Sequence, residues 1–342
     1  MAAGAVRGEG VYVDNSGSPV DVGIVGAGPV GLEAAIRATR AGLRARVWDR
    51  GPLAAAVAAY PTNMIFFTSN ELLEIGDHPL VTGGPKATRR EALDYYRKVA
   101  EREALDVVTH ADVVALETAE GGFLVRGGDA AHAFATLSRT VVVATGYYGT
   151  PRRLGVPGED LPHVSHYYLE AHPHWRRDVV IAGAGNSAAE AALELWRAGA
   201  RVTMVVRGET PRSTVKYWVR PDLENRIREG SITALFGSSI ERIEPDAVVV
   251  SDGRGTRRLH ADTVLLLIGF VADASLAAGA GAALNGDGSL VLDPVTFETA
   301  VPGLFVVGSA GYGPRTGEVF IENGRLHARA AVAEITRRLA HL

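Results

Sequence analysis

Hydrophobic and polar positions along this chain spell out one signature twice. Asp21-Val-Gly-Ile-Val-Gly-Ala-Gly-Pro-Val-Gly-Leu-Glu33 reads as a short apolar strand, a glycine turn and the start of an Ala-rich helix. A second apolar strand, Ala45-Arg-Val-Trp48, follows that helix. The pattern returns at Asp178-Val-Val-Ile-Ala-Gly183-Ala-Gly185-Asn-Ser-Ala188, with a helix to Arg197 and a strand at Arg201–Val206. Between the repeats, Tyr60 to Glu71 is aromatic and polar with no clean period, which predicts an irregular connection. Thr88-Arg-Arg-Glu91 is a capping box opening a helix with Leu93, Tyr96 and Val99 on its apolar face. Alternation at 107–116 and 122–126 predicts a small antiparallel layer, and 139–146 a buried strand ending in a turn of small residues.

Thr150 to Gly158 is rich in turn formers and reads as a linker. Past the second repeat, the pattern predicts a meander (232–236, 240–243, 247–250) and strands at 263–269 and 301–308. A closing helix from about Gly317 carries Phe320, Ile321, Ile335 and Leu339. The expected organisation is α/β, with two Rossmann-like three-layer (ββα/βαβ) units. Residues 1–18 form a flexible extension and 19–150 the first unit. An inserted second unit covers 159–258, and 259–342 returns to the first.

Each glycine of the first turn has a physical task. Gly26 permits the tight bend, Gly28 lets backbone approach a pyrophosphate, and Gly31 lets the helix pack close to the strand. With Pro29 at the helix start, the phosphate would rest on unpaired N–H groups. Asp49 and the adjoining Arg50 stand at the end of the following strand, where a carboxylate accepts two ribose hydroxyls. In the second turn Gly183, Gly185, Asn186 and Ser187 lead to Ala188 in place of the third glycine. There the strand ends in Arg207 instead of a carboxylate. Arginine offers a planar fork to a 2′-phosphate, with Arg212 and Lys216 nearby, so the second site points to NADPH over NADH. Two unlike sites imply two nucleotides, FAD and NADPH.

Composition narrows the chemistry. The 35 basic and 39 acidic residues leave a formal charge of −4, with no basic excess to suggest nucleic acid. Cysteine is absent, which excludes a disulfide, a thiolate metal site or a cysteine nucleophile. His110, His132 and the carboxylates show no metal-ligand spacing. Residues 1–18 lack the apolar centre of a secretory signal, and the apolar region from Val264 to Leu284 is interrupted by Asp273 and glycines. A cytoplasmic protein with no membrane span is expected.

The order G-x-G-x-x-G, Ala144-Thr-Gly146, G-x-G-x-x-A and Val301-Pro-Gly-Leu-Phe-Val-Val-Gly308 resembles flavoproteins built like low-molecular-weight thioredoxin reductase. Longer blocks are similar to the bacillithiol-disulfide reductase family of the YpdA or Bdr type. They are Tyr60-Pro-Thr with Phe66-Phe-Thr-Ser69, Leu73-Glu-Ile-Gly76, Ala144 to Gly149, Leu161 to Tyr168 with Glu170-Ala-His-Pro173, and Phe320 to Arg325 with His327. The resemblance runs from about Asp21 to the C-terminus. It implies FAD on the first glycine turn, lined by Tyr60, Phe66, Phe67, Thr68 and Ser69, with Thr145, Gly146 and Gly308 also at the cofactor. The closing helix would aim its first turn, near Phe320 and Ile321, at the flavin pyrimidine edge.

Three departures from the family pattern bear on mechanism. Ser309 stands where thioredoxin reductases place an aspartate, no C-x-x-C occurs around 165–177, and Val30 occupies a position where the nearer family commonly has cysteine. A disulfide substrate would therefore have to be reduced by the flavin directly. His78, Tyr147, His166 and His327 fall in the family blocks as candidate proton donors, with Glu318 or Glu322 as alternatives. The expected partner is a small-molecule disulfide or a small redox protein, and a homo-oligomer stays open. An NADPH–ferredoxin or flavodoxin reductase is the alternative, followed by a flavin monooxygenase or a redox sensor without turnover.

Overall fold

The computed structural model describes residues 19–340 and the backbone of Val11–Val13. In chain order the elements are β1 (Val11–Val13), β2 (Val20–Val25), α1 (Pro29–Arg40), β3 (Ala45–Trp48), α2 (Ala55–Ala58), α3 (Asn70–Leu73), α4 (Arg89–Arg102), β4 (Val107–Val108), β5 (Asp112–Ala119), β6 (Gly122–Gly128) and β7 (Ala133–Val143). There follow β8 (Val164–Ser165), β9 (Asp178–Ala182), α5 (Asn186–Arg197), β10 (Arg201–Val205), α6 (Arg220–Arg228), β11 (Thr233–Leu235), β12 (Ser239–Glu244), β13 (Ala247–Ser251), β14 (Thr256–His260) and β15 (Thr263–Leu266). The last are α7 (Ser275–Gly279), β16 (Leu304–Val306) and α8 (Ile321–Leu339). Two compact units result. Unit 2 comprises Ala59–Asn63 and Pro151–Gly269, and unit 1 the described remainder.

Unit 1 is organised by β7. Its second half pairs in parallel with β2 and β16, and its first half pairs with antiparallel β6 and parallel β1. The main path of the eight-stranded sheet is β4-β3-β2-β7-β6-β5. Val22 and Ile24 of β2 are fully buried, as are Leu32 and Ile36 of α1, and α1 packs on α8. On β7 and β16, Val141, Val143, Leu304 and Val306 join the core that also holds Trp48 and Phe123. The expected capping box is present: the Glu91 N–H donates to Thr88 Oγ1 at 3.2 Å, and the Thr88 N–H donates to Glu91 Oε2 at 2.8 Å.

Unit 2 shows its three layers through β9. Val179 and Ile181 face the helix-side core with Leu193, Leu195 and Leu223, whereas Val180 and Ala182 face Ile240, Ile243, Val248 and Val250 of the second sheet. Successive strand residues point to opposite faces, so one five-residue strand serves both interfaces. The parallel sheet runs β11-β10-β9-β15-β8, and β12-β13-β14 form the antiparallel layer.

Several sequence expectations change. Of the extension 1–18, residues 1–10 and 14–18 lie outside the described residues, while Val11–Val13 forms a strand too short for its period to be read. Val107–Val108 joins β3 in parallel, apart from the antiparallel β5–β6 pair, and that pair continues the main sheet. Thr233–Leu235 extends the parallel sheet beside β10, so the meander begins at Ser239. The strand at 263–266 belongs to unit 2, where it lies between β9 and β8, and the chain re-enters unit 1 at Phe270. These are pairing choices, and an apolar run carries no label for its partner.

Candidate nucleotide sites

At the first glycine turn the strand ends line up. The Gly26 N–H donates to Trp48 O at 2.7 Å, the Ala144 N–H to Val25 O at 2.7 Å and the Val307 N–H to Val143 O at 2.9 Å. The carboxyl ends of β3, β2, β7 and β16 thus share one edge, where ligands of such sheets bind. Gly26 has φ +109°, and a Cβ there would stand 2.5 Å from Ala144 O. A Cβ on Gly31 would collide with Gly26 O, whereas one on Gly28 would meet nothing within 4 Å. Two glycines are therefore demanded by packing, and the third lies beside open space. That combination fits a phosphate resting on the start of α1, whose Pro29 sits inside the first turn with no N–H to leave unpaired.

Asp49 is oriented before any ligand arrives. Its Oδ2 accepts from the Ala27 N–H at 2.7 Å and its Oδ1 from the Gly51 N–H at 2.8 Å. Burial raises its pKa, and the two N–H donors oppose that shift. Each carboxylate oxygen keeps another lone pair for a hydroxyl. Arg50 donates to Gly149 O at 3.3 Å. Gly308, at φ +66°, stands against Val30, and a Cβ on Gly324 would lie 3.0 Å from Val30 Cγ2 and 3.2 Å from the Gly308 Cα. The beginnings of α1 and α8 consequently converge on Gly308. Ile321, Glu322 and Asn323 open α8 with N–H groups lacking an intrahelical acceptor, and Phe320, exposed, precedes them. Thr145 is exposed, and Gly146 turns at φ +69°. Of the expected flavin loop, Phe66 is buried, while Phe67, Thr68 and Ser69 are half-buried; Tyr60 belongs to unit 2.

The second turn repeats the construction. Gly183 has φ +133°, and a Cβ on it would strike Leu267 O; Gly185 has nothing within 4 Å. Ala188 is fully buried in the third position, its Cβ 3.3 Å from where a Gly183 Cβ would be. Asn186 fastens a strap across the start of α5. It accepts from the Lys216 N–H at 2.9 Å and donates to Thr214 O at 3.2 Å, while the Arg212 N–H donates to Ala184 O at 3.0 Å. Ser187 is exposed beside it. The Arg207 and Arg212 side chains are exposed and make no hydrogen bond or ion pair with any described residue. Among the described residues, most other arginines make a hydrogen bond or an ion pair.

The four candidate proton donors have unlike surroundings. His78 Nε2 lies 2.5 Å from Glu103 Oε1. Tyr147 packs beside Phe270 at 6.0 Å between ring centres, and burial raises its pKa. His327 stacks on Phe297 at 3.9 Å; its Nδ1 is buried without a hydrogen bond, and burial lowers its pKa. These three lie in unit 1. His166, in unit 2, has its Nε2 3.4 Å from Glu159 Oε1, and burial lowers its pKa more than that carboxylate raises it. Glu318 and Glu322 are exposed and half-buried respectively.

One cluster went unread in the sequence. Glu33 is fully buried on α1 and accepts from the Gly76 N–H at 2.5 Å, Arg37 Nε at 2.8 Å and Arg329 Nε at 2.6 Å. It ties α1 and α8 to the loop before α4. The available signal was its spacing of four from Arg37.

Residues 23–308 match the model of the pyridine nucleotide-disulphide oxidoreductase family. The chain belongs to that family, and it is a flavin-dependent oxidoreductase whose cofactors are FAD and a nicotinamide nucleotide. Within the family it falls with the Bdr (YpdA) reductases. It is 37% identical over 321 residues to bacilliredoxin reductase Bdr of Bacillus subtilis, covering 93% of this chain and 98% of that one. The solved structure of bacillithiol disulfide reductase Bdr from Bacillus cereus superimposes with a TM-score of 0.90 at 34% identity, covering 94% of this chain and all of that one. A ferredoxin–NADP reductase of Granulibacter bethesdensis is 30% identical over 332 residues, 92% of this chain and 88% of that one. Among the described residues, no helix is long and apolar enough to cross a membrane.

Proposed function

We propose that this protein passes hydride from NADPH to FAD and reduces a low-molecular-weight disulfide such as bacillithiol disulfide, with no thiol of its own. The overall balance is one disulfide, one NADPH and one proton giving two thiols and NADP⁺. FAD supplies the two-electron relay that the chain's side chains lack. The observation carrying the NADPH half is Arg207, just past the end of β10, with Arg212 in the following loop; neither side chain has a hydrogen bond or ion pair among the described residues, and Arg207 is opposite in charge to Asp49 just past the end of β3. Similarity to two Bdr reductases supports the disulfide half.

In this reading Gly26, Gly28, Gly31 and Asp49 hold FAD, and the first turn of α8 presents N–H groups to the isoalloxazine ring. Gly183, Gly185 and Asn186 carry the NADPH pyrophosphate. His78 is engaged by Glu103, which leaves Tyr147, His166 and His327 to protonate the departing thiolate. The test is NADPH consumption under anaerobic conditions with bacillithiol disulfide added. Acceleration over the rate without substrate supports the proposal, and an unchanged rate overturns the substrate assignment.

A second reading has one specific support. A chain without cysteine that is 30% identical to a ferredoxin–NADP reductase satisfies the needs of that reaction, which uses no enzyme thiol. Reduction of a small iron–sulfur protein by NADPH, with no activity on the disulfide, would establish it.

A further inference from the structure

Glu33 stands three residues after Val30 on α1, so the two share one side of that helix. Val30 is the residue against which Gly308 and Gly324 pack. Glu33 therefore continues the α1–α8 contact about one helical turn behind the glycine turn. Its side chain is fully buried, and both oxygens are taken. Oε1 accepts from Arg37 Nε of its own helix at 2.8 Å and from Arg329 Nε of α8 at 2.6 Å, and Oε2 accepts from the Gly76 N–H at 2.5 Å. Asp77 closes the cluster. Its Oδ1 accepts from Arg37 Nη2 at 2.9 Å and from Arg329 Nη2 at 3.3 Å. Two carboxylates and two guanidiniums alternate around one ring, to which α1, α8 and the loop before α4 all contribute.

The loop that supplies Gly76 and Asp77 is itself held in place. The two residues turn at φ +59° and +58°, left-handed in succession, and a Cβ on Gly76 would stand 2.8 Å from Ile36 Cδ1 of α1. Arg40 of α1 donates to Gly76 O at 2.7 Å. Arg325 of α8 donates through Nη1 to Glu74 O at 2.6 Å and to Glu71 O at 3.0 Å. Taking a carboxylate out of water is expensive, and a well-packed apolar residue often holds two helices together as firmly. Apolar packing leaves register open. The Arg329 fork meets Glu33 and Asp77 together at only one placement of its helix, so the cluster fixes α8 along and about its axis relative to α1.

We propose that Glu33 is a positioning residue for the flavin: through Arg329 it fixes where the first turn of α8 stands. It thereby sets how well the N–H groups of that turn stabilise the negative charge that reduction adds at the pyrimidine edge. The proposal rests on the reading above that α8 opens onto the isoalloxazine ring. Glu33 acts at a distance from the ring, and Arg329 and the body of α8 carry its effect. Arg37 bonds the same oxygen from within α1, so its loss unsettles the cluster without releasing α8.

The experiment measures the two-electron midpoint potential of the FAD-loaded protein by anaerobic titration against a reference dye. Flavin content, circular dichroism and thermal melts show that each variant is folded. Glu33→Gln keeps the shape of the side chain but leaves one oxygen for three donors. Glu33→Gln and Arg329→Gln are each expected to weaken binding of reduced relative to oxidised flavin about tenfold, which lowers the potential by about 30 mV. Arg37→Gln is expected to melt earlier while keeping the parent's potential. Arg329→Lys, which retains the charge without the fork, is expected to shift less, and it serves should Glu33→Gln lose its flavin. Lowered melting temperatures at the parent's potential in Glu33→Gln and both Arg329 variants would make the cluster structural only and overturn the proposal. Ile321→Pro tests the underlying reading separately, because proline is tolerated at the first helical position and removes an N–H group there. An Ile321→Pro protein with the parent's potential would overturn the placement of α8 at the ring. A potential moved by Ile321→Pro and unmoved by Glu33→Gln would remove Glu33 alone and leave that placement standing.

Discussion

The Ala27 N–H donates to Asp49 Oδ2 at 2.7 Å, so the glycine turn after β2 holds the carboxylate at the end of β3. Turn and carboxylate are parts of one preorganised cradle. Asp49→Ala removes the carboxylate proposed to accept the ribose hydroxyls and also releases the Ala27 N–H. Loss of charge-assisted hydrogen bonds of this type costs about 1.5–3 kcal/mol, or roughly 10–100-fold in affinity. The purified variant should carry far less flavin per protein than the parent. Equal flavin content by absorbance would place the ribose elsewhere.

Gly28 and Gly31 should fail in different ways. A Cβ on Gly31 drives into Gly26 O, so Gly31→Ala must distort the turn and lower the melting temperature, at a cost of ~1–3 kcal/mol. A side chain on Gly28 meets no protein atom, so Gly28→Val should fold well but emerge colourless, without bound FAD. Thermal melts and flavin content of the two apoproteins check this. A yellow Gly28→Val protein would remove the first turn from the cofactor site.

Arg207→Asp reverses charge just past the end of β10, where the exposed guanidinium has no hydrogen bond or ion pair among the described residues. The ratio of kcat/KM for NADPH over that for NADH should fall about 10–100-fold, mainly through KM for NADPH. Steady-state kinetics with each coenzyme measures it, and an unchanged ratio would show that Arg207 does not touch the phosphate.

Glu190 should make stability depend on pH near neutrality. Burial, reinforced by the charge of Glu194 and opposed by Lys216, raises its pKa from 4.5 to about 7. A raised carboxyl pKa means that the folded state binds the proton more tightly. The contribution of Glu190 is therefore absent below about pH 4.5, becomes unfavourable across the interval to about 7, and is fully unfavourable above it. Glu190→Gln should accordingly stabilise the protein at pH 8, by ~3 kcal/mol at most, and leave it unchanged at pH 4. Chemical denaturation at both pH values tests the sign. Equal effects at the two values would assign the change to packing.

Much of this architecture was legible because its determinants are local. Gly26, Gly28 and Gly31 lie within one turn of chain, Thr88 and Glu91 within one helical turn, and Asp49 and Arg207 each terminate a short apolar strand. The apolar runs at Thr233–Leu235 and Thr263–Leu266 were readable as strands, yet their parallel pairing beside β10 and β9 was not. Glu33 looked like one more charged helix residue until Arg329 of α8 and the Gly76 N–H were brought to it across the fold.

By itself, the sequence determined two strand–turn–helix units, the opposite charges that end their second strands, and a chemistry without enzyme thiols. Backbone conformation and residue type suffice for these. Tertiary structure alone decided why the turns have their form. Ala144 O closes against Gly26, and Leu267 O against Gly183, in the same relation in both units. Tertiary structure also strapped Lys216 to Asn186, leaving Tyr217 and Trp218 exposed at the second site. Such contacts depend on which carbonyl arrives from a distant strand, and hydrophobic periodicity does not encode that arrival.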